Sequence, residues 1–148
     1  MALNFHLKFV GLALMVLAVA HIPIHRHFKW KAETAVLTLL TRQIFHVHTF
    51  FVALTVWMFG ALTFFFTDEL LKPSKLSIII LLGFAMFWAI RLFVQFFVYD
   101  SKLWQGKKFE TTMHIIFTCF WVYCVAVYSW AFVTTADQYL KLKLESIL

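Results

Sequence analysis

The sequence predicts an all-α integral membrane protein: an antiparallel up-and-down bundle of four transmembrane helices forming a single membrane domain. Three observations predict it. Of 148 residues, 63% are hydrophobic and only 14% charged, whereas a soluble domain is about half apolar and a quarter charged. The apolar residues fall into four runs of roughly the 20 residues needed to cross a bilayer, at about 3–20, 34–66, 76–99 and 109–132. The thirteen Lys and Arg residues lie mostly beside these runs, where they satisfy the positive-inside rule and meet anionic head groups. The formal charge of +6 therefore points to a lipid surface. No basic stripe interleaved with exposed aromatics is present, which excludes nucleic acid as a partner.

Span 1 opens with Lys8 near an apolar run from Phe9 to Ala20. Ala18-Val19-Ala20 has the small residues of a signal-peptide cleavage site, and the run is read here as an uncleaved first span. Gly11, Ala13, Ala18 and Ala20 permit close helix approach. Pro23 is expected to end the helix. Around it stand His21, His25 and His27, three imidazoles in seven residues. That density is the candidate metal site for copper, zinc or iron, which imidazole suits. His21 and His25 match one box of the di-iron membrane hydroxylases by spacing, but seven histidines and no HxxHH set that chemistry aside.

Span 2 has no proline between Glu33 and Phe66. One helix over that length would reach about 50 Å against a ~30 Å hydrocarbon core. Either it projects beyond the membrane or Lys31–Leu40 forms an interfacial helix bent into the span. Arg42, His46 and His48 stand near its start, and ionisable groups at membrane depth are costly and usually functional. Arg42 and His46 are i,i+4 and share a face. His48, about 200° around from His46, faces elsewhere.

A polar connection, Thr67–Lys75, carries two acids and two bases and no chemistry. Span 3 ends with Arg91 and Gln95, i,i+4, which is read as an inward polar stripe. Ser101–Lys108 is a basic loop with Trp104 as an interfacial anchor. Span 4 begins with Glu110 and His114, again i,i+4. Cys119 and Cys124 do not share a helix face, and one helix cannot bridge them. The tail, about 136–146, reads as a short interfacial helix.

Threading four spans up and down gathers His21, Arg42, His46, His48, Arg91, Gln95, Tyr99, Asp100, Glu110 and His114 toward one face. Eight basic residues flank that face and five flank the other. This orients the His-bearing loops to the cytoplasm and both termini outside, as in a bacterial cytoplasmic (inner) membrane. The leading functional reading is a single haem b site for membrane electron transfer. His46 or His48 and His114 would be the axial ligands, Arg42 and Arg91 would meet the propionates, Gln95 would line the site, and a quinone is a candidate redox partner. The alternative is a structural or accessory subunit of a larger membrane complex, or a homo-oligomer, with no cofactor of its own. The His-based transition-metal site is third. A non-enzymatic role is favoured, because no Ser/His/Asp arrangement, Gly-rich phosphate loop or CxxC pair occurs.

Overall fold

A computed structural model describes the backbone of residues 2–27 and 30–147, and the side chains of these except 23–27 and 31. The described residues are mostly helical, with no strands among them. In order they are α1 (Ala2–His27), α2 (Trp30–Glu33), α3 (Leu39–Phe65), α4 (Thr67–Leu70), α5 (Lys75–Phe97) and α6 (Lys108–Glu145), with short 3-10 turns at Thr34–Val36 and Ser101–Leu103. Four of them, α1, α3, α5 and α6, are long and apolar enough to cross a membrane.

Two boundaries differ from expectation, and one of two alternatives is decided at a third. α1 runs past Pro23 to His27. One proline deletes a single i→i−4 hydrogen bond, and the turns on either side hold the helix. The expected bend before span 2 occurs at Leu37–Thr38, where Leu37 is extended and the Thr38 hydroxyl accepts from the Thr41 amide at 3.3 Å to cap α3. The C-terminal segment is no separate helix. No Pro or Gly interrupts the chain after Phe109, so α6 continues for 38 residues. On its exposed end Lys141 donates to Asp137 at 2.6 Å.

The chain divides into two compact units. In the N-terminal unit, Phe5–Thr67, α1 buries Leu7, Val10, Leu14 and Ala18, and α3 buries Val56, Gly60 and Thr63. The three-to-four-residue spacing puts each set on one helix face. The two faces meet through glycine. A Cβ built on Gly60 would lie 2.7 Å from the Gly11 carbonyl oxygen, and one on Gly11 would lie 2.8 Å from that of Gly60. Only hydrogen side chains allow this approach. The hydroxyls of Thr49, Thr63 and Thr67 donate to carbonyls four residues earlier, which satisfies them without leaving the helix.

In the C-terminal unit, residues 1–4 and 68–148, α5 packs on α6. Ser74 caps α5 by accepting from the Ser77 amide at 3.1 Å. The contacts form a ladder: Phe84 lies edge-on to Tyr128 at 5.2 Å, Trp88 stacks on Trp121 at 4.9 Å, and Gln95 meets His114. Positions rise along α5 as they fall along α6. Each aromatic pair adds about 0.5–1.5 kcal/mol beyond its buried area.

Candidate functional site

The upper rungs of the α5–α6 ladder become polar. Gln95, only 6% exposed, is the hub. Arg91 Nη1 donates to Gln95 Oε1 at 3.0 Å, and Gln95 Nε2 lies 2.7 Å from His114 Nδ1. The direction of this relay is forced. A guanidinium has no acceptor, so the amide oxygen must face Arg91 and the amide N–H must face His114. His114 Nδ1 is then the acceptor, and in the neutral ring the proton sits on Nε2.

The loop before α6 builds a wall for this imidazole. The Asp100 carboxylate accepts from the Lys102 amide at 2.9 Å and caps the 3-10 turn. Gly106 takes a left-handed φ of 79°, which a side chain would resist. The Thr111 hydroxyl donates to the Trp104 carbonyl at 2.7 Å and ties the loop to α6. Together they lay the Trp104 ring flat on His114, with centroids 3.8 Å apart and an 11° interplanar angle. The His114 carbonyl accepts from the Thr118 hydroxyl at 2.7 Å.

Arg91 lies over two rings, 5.0 Å from the Trp121 centroid and 5.6 Å from that of Tyr99, each contact worth about 0.5–2 kcal/mol. It forms no ion pair with a carboxylate among the described residues. The ion pairs among the described residues, Lys72–Glu69, Lys102–Asp100 and Lys141–Asp137, do not include it and are exposed. Glu110, one turn before His114, forms no hydrogen bond with it among the described residues. The indole N–H groups of Trp88 and Trp121 are buried with no acceptor. The remaining Arg91 N–H groups and His114 Nε2–H meet no acceptor among the described residues, so the free groups of this pair only donate.

Two of the other sequence-identified histidines, His21 and His48, carry the opposite polarity in the neutral ring. His21 Nδ1 lies 2.9 Å from the Leu17 carbonyl and His48 Nδ1 lies 3.0 Å from the Ile44 carbonyl. A carbonyl only accepts, so both rings carry the proton on Nδ1 and keep a bare Nε2, as a metal-ligating imidazole does. His46 lines a cleft with His21. Arg42 is half-buried and has no side-chain partner among the described residues. The side chains of His25 and His27 lie outside the described residues. Among those described, no group of three or more His, Cys, Asp or Glu converges.

The Arg91–Gln95 pairing follows the expected i,i+4 stripe. The parts that sequence reading missed are Trp104, taken only as an interfacial anchor, and the Trp88–Trp121 stack. The nearest signals were Gly106 and Thr111, which shape the loop but do not name its target. Comparison of the chain with protein-family models, curated proteins and solved structures finds no match.

Proposed function

We propose that the chain is an integral membrane protein threaded up and down through four antiparallel spans, and that its α5–α6 site binds the anionic head group of a membrane amphiphile. The single observation that carries this is the donor-only cluster around an Arg91 without a counter-charge. A half-buried cation next to apolar chains is costly, and an anionic oxygen that accepts from Arg91 and His114 Nε2–H offsets that cost. Membrane insertion is supported by the outward surface: only 17–28% of each span is buried, and what faces outward is largely Phe, Leu, Ile and Val. Patches of that size mark lipid or partner contact. The eight-to-five distribution of basic residues supports a cytoplasmic-leaflet position for the site, where anionic lipids concentrate. The role is read as binding or accessory, because the free groups of Arg91 and His114 donate and neither is set to act as base or nucleophile. An axial haem ligand needs a bare Nε2, the reverse of the His114 tautomer, so the site is read as an anion site and not as a haem b centre.

The test is native mass spectrometry from detergent, with phosphatidylglycerol, phosphatidylcholine or inorganic phosphate added. Retention of phosphatidylglycerol over phosphatidylcholine is expected, with roughly a ten- to hundredfold loss of affinity in Arg91→Ala, since a charge-assisted hydrogen bond contributes about 1.5–3 kcal/mol. Equal retention of the two lipids, or an unchanged Arg91→Ala, contradicts the proposal. Binding of phosphate alone with the same Arg91 dependence assigns the site to a free anion.

A further inference from the structure

We infer that a second site, in the N-terminal unit, takes the hydroxylated ring of a phenol or hydroquinone. A cleft of about 290 Å³ is lined by His21, His46, Trp30, Phe50, Ala18 and Ala53 among others. That volume is near the lower end of small-molecule sites, enough for a single-ring head group. Aromatic walls and alanine methyls suit a flat apolar body. Trp30 is held edge-on to Phe45, with centroids 5.2 Å apart, so this wall is braced from behind.

The polarity of the walls selects the ligand. His21 donates from Nδ1 to the Leu17 carbonyl at 2.9 Å, which leaves Nε2 as a fixed acceptor. The Thr49 hydroxyl proton is committed to the Phe45 carbonyl at 2.8 Å. His46 makes no hydrogen bond among the described residues, and either of its nitrogens is free to turn toward a second ligand oxygen. The fixed acceptor in the cleft, His21 Nε2, therefore asks for a donor. The lining of the cleft includes no carboxylate, and an ammonium among apolar walls would remain uncompensated. A neutral O–H meets both conditions, and a phenol or hydroquinone offers one to His21. A metal ion fits less well, because two imidazoles converge here without a third His, Cys, Asp or Glu among the described residues. The inference does not depend on the α5–α6 site.

The experiment is calorimetric titration of the whole chain in detergent, under argon, with a decyl-benzoquinol and with its dimethyl ether. The wild type is expected to bind the quinol saturably and the ether about tenfold more weakly, the loss expected for one hydrogen bond. His21→Ala is expected to bind the quinol about tenfold more weakly and to lose the discrimination. Equal binding of quinol and ether by the wild type, discrimination that survives His21→Ala, or no saturable binding overturns the inference. Should His21→Ala fail to fold, Ala53→Leu decides: it keeps both imidazoles and fills the cleft, so wild-type quinol affinity in that variant also overturns it. Arg91→Ala is expected to bind the quinol normally, which separates this site from the anion site.

Discussion

Replacing Gly60 with alanine is expected to destabilise the protein by about 3 kcal/mol, the upper part of the range for overpacking, and to lower its melting temperature by roughly 10 °C. The new methyl group would lie 2.7 Å from the Gly11 carbonyl oxygen and 2.9 Å from the Met15 backbone nitrogen. Both are main-chain atoms of α1, so no rotamer change relieves the contact and the helices must separate. Separation removes dispersion contacts along the seam, and packing of this kind is what holds helices together in lipid. Gly83 supplies the internal control. A Cβ there meets nothing within 4 Å, and its position inside α5 makes glycine the poorer helix former by about 0.5–1 kcal/mol. Gly83→Ala should therefore raise the melting temperature by a few degrees. Thermal unfolding in detergent, followed by intrinsic fluorescence, reads both. The same chemical change at two glycines should carry opposite signs, and a Gly60→Ala protein as stable as wild type would contradict the close seam.

The second large effect concerns the relay. Gln95→Glu is expected to weaken anionic lipid binding by roughly a hundredfold while leaving the fold intact. The side chains are nearly the same shape, but a carboxylate has acceptors on both oxygens. One would pair with Arg91 and supply the missing counter-charge. The other would draw a proton onto His114 Nδ1. In the neutral ring Nε2 is then bare, so the site loses its free cation and a donor together. Lipid retention by native mass spectrometry, compared with a melting curve of the same sample, separates lost binding from lost structure. Full lipid affinity in Gln95→Glu would mean that Arg91 does not recognise the anion through its unpaired charge.

The existence of the four long helices was legible in the apolar runs, because length and hydropathy carry that information directly. The Arg91–Gln95 contact was legible for a similar reason: i,i+4 spacing on a helix brings two side chains together. What Gln95 touches next was not. A one-residue shift turns a helix face by about 100°, so no spacing on α5 selects a residue on α6. The partner observed on His114 Nδ1 is Gln95, a pairing that spacing along either helix does not announce. Trp104 was hidden for another reason. Its stacking depends on the left-handed Gly106 and on the Thr111 hydroxyl, a loop geometry that composition does not encode. The polarity of each imidazole was hidden as well, because it follows from which atom the first nitrogen meets. That polarity separates His114 from His21 and His48, although all three read alike as residues in a sequence.

The most direct test is the protonation of His114 itself. With ¹⁵N-labelled histidine in detergent micelles, and His114 assigned by the signal lost in His114→Ala, the nitrogen shifts distinguish the two neutral tautomers. The donor-only site requires a bare Nδ1 and a protonated Nε2 on His114. A proton on Nδ1 with a bare Nε2, the form an axial ligand to iron adopts, would contradict the anion site at its foundation.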